Sequence, residues 1–365
     1  MLFDVQPKDD KSNLFGRKEE LEKLLRAFRY GPPLILLLGM RRVGKTSLLK
    51  VALKECRQPF IYLDLRSLAE EGFSKAVFYR LLSDELSRVH SSWAKLHSFL
   101  KKVRGVEVAG LRVELDWRRG GAMVSSLFRE VDEWLGSERR NMVVALDEAQ
   151  LLRGMRGGKG RMDFRKLLAF AYDNLRRVKF VLTGSEVGLL MDFIGAEDPS
   201  SPLYGRYREE ILLQKFDRET SLEFLRQGFR EHGVNPKSDV LEKAVDTLDG
   251  VVGWLTYYGY LAVSEKKLDG NMLEKVVNEA KRITENELSK LFQRSRYYKL
   301  VLRAVGMGFS GWAEIKRAVE AWAGMPLSNA QLTRVLHSLQ KLSIVEKQGE
   351  KYVLTDPLVA KAVGL

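Results

Sequence analysis

At 365 residues the chain exceeds a single typical domain core and predicts two or three folded units. Its 45% hydrophobic and 30% charged residues are those of an ordinary soluble globular protein, and no apolar run reaches the roughly 18 residues of a membrane span. A single cysteine, Cys56, excludes an internal disulfide or a cysteine metal cluster and fits a reducing cytoplasm. The formal net charge of +13 favours nucleic acid or another acidic surface as partner, and suits the charge networks of a hyperthermophile equally well.

The opening Met1-Leu2-Phe3-Asp4-Val5 lacks the basic start and apolar core of a signal peptide. Over the first two hundred residues, buried-strand runs alternate with amphipathic helical stretches, which predicts a mainly parallel α/β sheet. The strands are Leu34-Ile35-Leu36-Leu37-Leu38, Phe60-Ile61-Tyr62-Leu63-Asp64, Met142-Val143-Val144-Ala145-Leu146 and Phe180-Val181-Leu182-Thr183. They are continuously apolar, as expected when helices cover both faces. Between residues 103 and 117 the pattern alternates instead: Val106-Glu107-Val108 and Leu111-Arg112-Val113-Glu114-Leu115 flank Ala109-Gly110, predicting an inserted β-hairpin. After Phe216 strand signals stop. Helical spacing covers 218–232, 238–248 and 271–292, a helical module. Three further short helices (297–305, 311–323 and 329–342) precede a hairpin turning at Gln348-Gly349-Glu350, the order of a winged helix. The division is 1–215 for the sheet domain, 216–292 for a helical lid and 293–365 for the winged helix.

Gly39-Met40-Arg41-Arg42-Val43-Gly44-Lys45-Thr46 satisfies G-x-x-x-x-G-K-[ST] between a strand and a helix. Such a loop wraps its backbone around phosphates at a helix N-terminus; Lys45 reaches the β- and γ-phosphates, and the Thr46 hydroxyl, with Ser47 beside it, faces a Mg²⁺ ion. Asp147, ending an apolar strand, supplies the second Mg²⁺ ligand, and Glu148 is placed to orient or deprotonate the attacking water. Gln150 either joins that water network or sits in a surface loop. Thr183 and Ser185 either sense the γ-phosphate or close a turn through local hydroxyl bonds. Arg206, in Leu203-Tyr204-Gly205-Arg206-Tyr207, is either an arginine finger, in cis or across a subunit boundary, or the partner of a nearby carboxylate.

With these residues assembled, the chain resembles the archaeal ATPase family within the STAND group of P-loop NTPases, relatives of the AAA+ and origin-recognition ATPases. Leu14-Phe15-Gly16-Arg17-Lys18-Glu19-Glu20-Leu21 is similar to the family's F-x-G-R-x-x-E-L motif, which implies that Phe15, Gly16 and Arg17 pack beside adenine. Residues 39–46 are similar to the Walker A loop, 142–150 to a Walker B strand ending D-E-x-Q, and Thr183-Gly184-Ser185 to the sensor strand. The Gly205-Arg206 pair resembles a motif that reads the γ-phosphate. The resemblance implies ATP with Mg²⁺ as cofactors and ATP hydrolysis as activity. One departure is Val252, in Asp249-Gly250-Val251-Val252-Gly253, where relatives often carry a proline that approaches the nucleotide.

Two basic regions bear on the partner. Residues 151–182 carry nine cations against two carboxylates, and Arg156, Lys159 and Arg161 lie in a glycine-rich loop that either tracks a phosphate backbone or is simply solvated. In the winged helix, Leu332, Val335, Leu336 and Leu339 form the buried stripe. Gln331, Arg334, His337 and Lys341 are left towards the outer face, where they suit a major groove, with Lys347 on the wing. Two functions follow: a DNA-associated remodelling ATPase, or a nucleotide switch whose winged helix docks a protein partner, either of them with oligomerisation open.

Overall fold

The computed structural model describes all residues except 93, 104, 111, 116–123, 157–161, 196, 267–269 and 365. Five strands form the central sheet: β1 (Leu34–Leu38), β2 (Phe60–Asp64), β5 (Met142–Asp147), β6 (Val178–Gly184) and β7 (Glu209–Leu212). Their order is β2-β5-β6-β1-β7 and every pairing is parallel. The register sets Leu38 beside both Gly184 and Leu212, and Asp64 beside Asp147, so the loops that follow these strands emerge at one edge.

Alternation along β1 explains the two sheet cores. Leu34, Leu36 and Leu38 point to one face, packed by Phe78, Leu82, Phe128 and Phe164; Ile35 and Leu37 point to the other, packed by Leu24, Phe28, Leu48 and Ala52. A fully apolar strand is therefore buried on both sides, as the sequence predicts. The hairpin forms as β3 (Val106–Ala109) and β4 (Arg112–Leu115), an antiparallel sheet of its own rather than an extension of the central one. It is held to the helix Lys75–Ser92 by Val113 N donating to Ser87 Oγ (2.9 Å) and Leu115 N to Ser83 Oγ (3.2 Å).

The helical module contains Arg218–Arg230, Ser238–Leu248, Val252–Glu265 and Gly270–Arg294. Asp217 caps the first of these, accepting from Thr220 N at 2.7 Å. Its core takes in Leu2 and Phe3 from the chain start, with Phe3 in edge contact with Phe229 (4.9 Å between ring centroids). The winged helix comprises Arg296–Gly306, Trp312–Ala323, Asn329–Lys341, then β8 (Val345–Gln348) and β9 (Lys351–Leu354) paired antiparallel. The four residues predicted as its buried stripe are all buried. The long helix Gly270–Arg294 joins the two units, giving Val276 and Ala280 to the lid core and Leu288 and Leu291 to the winged-helix core. A final short helix, Leu358–Ala362, does the same with Leu358 and Val359.

Candidate active site

Gly44 begins the phosphate-loop helix Lys45–Glu55 with φ of 95°, a left-handed turn that favours glycine, and no side chain caps the helix. The first-turn N–H groups are thus left for an anion, reinforced by the positive end of the helix dipole. Lys45 is buried (6% exposed) and donates to the carbonyls of Gly39 (2.8 Å) and Met40 (2.7 Å). Burial lowers its pKa to about 8, partly offset by attraction to Glu148 and Asp147. A polyphosphate among these groups would restore the ammonium.

Asp147, 1% exposed at the end of β5, accepts three hydroxyl donors. Tyr62 donates to Oδ2 at 2.7 Å and Thr46 to the same oxygen at 3.2 Å, while Thr183 donates to Oδ1. Glu148 is strained into the left-handed region (φ 58°), which turns its side chain away from that of Asp147. Its carboxylate accepts from Gln150 Nε2 (2.5 Å) and from Ser185 Oγ (2.9 Å) and N (3.3 Å). Gln150 thereby takes a place in the site. Thr183 is fully buried: besides bonding Asp147, its oxygen accepts from Glu148 N at 3.3 Å. It fixes the turn between the two carboxylates and does not reach the cleft.

The cleft itself encloses about 840 Å³ between sheet domain and lid. Arg41, Arg42, Val43, Gly44, Lys45, Thr46 and Ser47 line it, as do Phe15, Arg17, Glu148 and Ser185. Gly39 and Met40 contribute their carbonyls to Lys45, and Gly16 turns the chain against the Phe216 ring. Arg17, which lines the cleft as its motif implies, also has a structural part. It is buried (5% exposed), donates to the carbonyls of Val43 (3.1 Å) and Gln214 (2.6 Å), and lies over the Phe216 ring, so it pins the loop to the lid junction. Arg206 lies outside the cleft in an ion pair with Asp173 at 2.7 Å, the carboxylate alternative that its sequence left open.

Sequence reasoning missed Tyr62, legible only as the middle of β2, which bonds Asp147 without lining the cleft. It also missed residues of the cleft itself. From the lid come Trp254, Tyr257, Ile283 and Glu287, which no motif marks. They approach because Gly253, the second residue of its helix, donates its N–H to Arg42 O at 2.9 Å, and the Arg42 guanidinium stacks on the Trp254 ring (4.3 Å). Val252 lies against the loop: a Cβ at Gly44 would meet it at 3.6 Å. The lid thus reaches the phosphate loop without the proline.

Among the nucleic-acid candidates, Lys159 and Arg161 and the side chain of Arg156 lie outside the described residues. Arg334 is exposed, whereas Gln331 is engaged in the capping box of its own helix with Ser328. Lys347 pairs with Glu350 at 3.6 Å. Lys341 faces the sheet domain in a half-exposed pair with Asp192 at 2.7 Å, because its helix end packs on Gly188, where any Cβ would lie 2.5 Å from Lys341 Cα.

A hydroxyl from the phosphate loop, a buried carboxylate beside it and a second carboxylate one residue on form the constellation of a P-loop ATPase. A family described as "ATPase domain predominantly from Archaea" matches residues 14–257. The chain belongs to this family. Residues 292–354 match the C-terminal winged helix-turn-helix domain of MCM proteins. The Walker-type ATPase PABY2304 of Pyrococcus abyssi is 36% identical, with all of both chains covered and a TM-score of 0.85. The ORC2 protein of Aeropyrum pernix, in its ADPNP-ADP complexes, is 16% identical with a TM-score of 0.60 over 99% of this chain and 96% of that one, a likeness of fold. Among curated proteins none matches. No described helix is long and apolar enough to cross a membrane.

Proposed function

We propose that this family member binds and hydrolyses ATP with Mg²⁺, and that nucleotide state sets how the lid (216–292) and winged helix (293–365) sit on the sheet domain (1–215). The observation that carries this reading is the bonding of the phosphate loop to the lid and, through the lid's Trp254, to the winged helix. Gly253 and Glu287 bond Arg42, and Trp254, stacked on Arg42, donates Nε1–H to the buried Asp356 at 2.8 Å. Whatever moves the loop moves these contacts.

Thr46 Oγ1 and Asp147, with oxygen donors 3.2 Å apart at the cleft edge, suit a small hard cation that takes its remaining ligands from phosphate and water. Mg²⁺ held there would neutralise charge on the phosphate oxygens. Lys45 binds those oxygens. Glu148, once released by Gln150 and Ser185, accepts the proton of the attacking water. Arg206, half-buried in its ion pair with Asp173 and outside the cleft, would serve as an arginine finger only towards a neighbouring copy. Duplex DNA is the second reading, favoured by the exposed Arg334 and His337 on the helix Asn329–Lys341 together with the net charge of +13. The single buried cysteine suits a cytoplasmic setting.

The test is steady-state ATP hydrolysis with and without duplex DNA, with Lys45→Ala as control. Turnover that needs Lys45 and ignores DNA supports the switch. Stimulation by DNA that disappears at high salt transfers the reading to DNA remodelling. Absence of Lys45-dependent turnover with Mg²⁺ refutes hydrolysis.

A further inference from the structure

Among the arginines that line the cleft, three have partners away from the terminal-phosphate position, although Arg66 is itself 60% exposed. Arg17 serves backbone carbonyls, Arg66 forms a forked pair with Asp64, and Arg42 is bonded to Glu287 and stacked on Trp254. Arg41 differs. Its guanidinium bridges Glu186 (3.1 Å) and Glu287 (3.4 Å) with its side chain 45% exposed, so neither bond is strong. It is near enough to Lys45 for like-charge repulsion to help lower the ammonium's pKa, which places it beside the phosphate-binding region. Its two partners stand at consequential points. Glu186 follows Ser185, which holds Glu148, and precedes the helix Val187–Ile194. Glu287 lies on the long helix, on one stripe with Ile283 and Glu279, all three lining the cleft, and that helix continues into the winged-helix core at Leu288 and Leu291.

The lid therefore turns carboxylates towards a site that takes a polyanion, and the paired arginines of the loop offset them. A terminal phosphate carries more charge than a carboxylate and offers a planar guanidinium two short charge-assisted bonds. The geometry points to Arg41 as the residue that reads the terminal phosphate of a bound nucleoside triphosphate, giving up Glu287 for it and so leaving the long helix held to the loop at that carboxylate by Arg42 alone. This rests on the nucleotide site proposed above. It assigns the phosphate-reading cation to the same chain, a position that Arg206 does not fill.

The experiment compares affinities for ADP and a non-hydrolysable ATP analogue, with Mg²⁺, by calorimetric titration of the full chain and its Arg41→Gln, Glu287→Gln and Lys45→Ala variants. Arg41→Gln is expected to weaken the triphosphate by about tenfold or more, the scale of one charge-assisted hydrogen bond, and ADP by less than about twofold. Glu287→Gln is expected to keep the triphosphate preference. Its long helix, followed by hydrogen exchange over residues 279–290, is expected to exchange with ADP at least as fast as the unaltered protein does with the triphosphate, since the substitution removes both arginine pairs. Equal weakening of both nucleotides by Arg41→Gln, or no weakening, overturns the inference, as does exchange in Glu287→Gln that matches the unaltered ADP complex. Lys45→Ala separates the two levels. If it abolishes binding while Arg41→Gln is silent, only the role of Arg41 falls; if it leaves both affinities intact, the nucleotide site itself falls.

Discussion

Gly253→Ala probes the seam between lid and phosphate loop with the smallest possible addition. The new methyl would lie 2.8 Å from Arg42 Cβ and 3.2 Å from Arg42 O, closer than ordinary contact by roughly 0.6 Å at the first of these. Neither atom is the far end of a flexible chain, so the lid helix must withdraw. Overpacking of this kind costs about 1–3 kcal/mol. Withdrawal also weakens the Gly253 N–H bond to Arg42 O, worth about 1 kcal/mol. Alanine returns up to about 1 kcal/mol through helix propensity, less at a helix start. The balance, about 1–3 kcal/mol against the docked lid, corresponds to a loss of about 5- to 150-fold in any affinity that needs docking. Trp254, Tyr257 and Ile283 line the cleft from the lid, so nucleotide affinity is such a quantity. Titration with a fluorescent ADP analogue measures it, and calorimetric melting shows whether the lid still folds. An ADP Kd within about twofold of the unaltered value, with melting unchanged, would refute the claim that lid docking shapes this site.

Three other outcomes follow from the same geometry. Glu148→Gln is expected to retain ATP binding and lose about 10²- to 10⁴-fold in turnover, and persistent turnover in a single-turnover assay would sink its role as base. Tyr62→Phe removes a donor from the buried Asp147 and is expected to cost about 1–3 kcal/mol in chemical denaturation, with an unchanged midpoint counting against that bond's importance. Lys45 titrates near pH 8 in the folded chain but near its ordinary 10.5 when unfolded, so between pH 8 and 10 the unfolded state binds more protons. Stability without nucleotide is therefore expected to rise across that window, by up to about 2.7 kcal/mol from this group, with Lys8 and Lys179, also lowered by burial, acting in the same direction. Saturating ADP should flatten the rise, and a urea midpoint that falls without nucleotide would contradict the burial of Lys45.

The parts of the fold that the sequence announces are those whose pattern has one physical cause. β1 is apolar throughout, and β5 and β6 are apolar over 142–146 and 180–182, because two helical layers cover them, and the phosphate loop needs its spacing. β7 went unrecognised because Glu209-Glu210-Ile211-Leu212 sits at the sheet edge with a single neighbour, where a charged, half-exposed strand carries no such pattern. The helix Val252–Glu265 was hidden by glycines placed for close packing rather than helix propensity. Gly253 admits Arg42, and Gly259 admits the Phe3 ring, which would lie 2.3 Å from any Cβ there. The types of the site residues were readable, but their partners were not. Arg206 could be weighed between phosphate and carboxylate, and only the fold brings Asp173 to it. Lys341 reads as a groove-facing cation until the chain folds back and sets Asp192 beneath it.

That turn towards the sheet domain bears on how a partner could reach the proposed ATP site. The C-terminal end of the helix Asn329–Lys341 is occupied inside the molecule, where Lys341 bonds Asp192 and Ser343 Oγ accepts from Val187 N at 2.9 Å. Both contacts fall on the helix Val187–Ile194, which begins two residues after Ser185, and Ser185 holds Glu148. On the other side of the cleft, Asp356 accepts from Trp254 in a setting so buried that its carboxyl is pushed above the usual carboxylate range. The winged helix is therefore linked to Glu148, the proposed base, through one path and to the phosphate loop through another. A ligand that gripped only the exposed Arg334 face would leave both paths intact and hence leave turnover nearly unchanged. One that inserted the whole helix would have to break the Lys341 and Ser343 contacts, freeing the segment that restrains Glu148. If the chain hydrolyses ATP as proposed, its coupling to a partner would follow how deeply that partner engages this one helix, since its two ends face different neighbours.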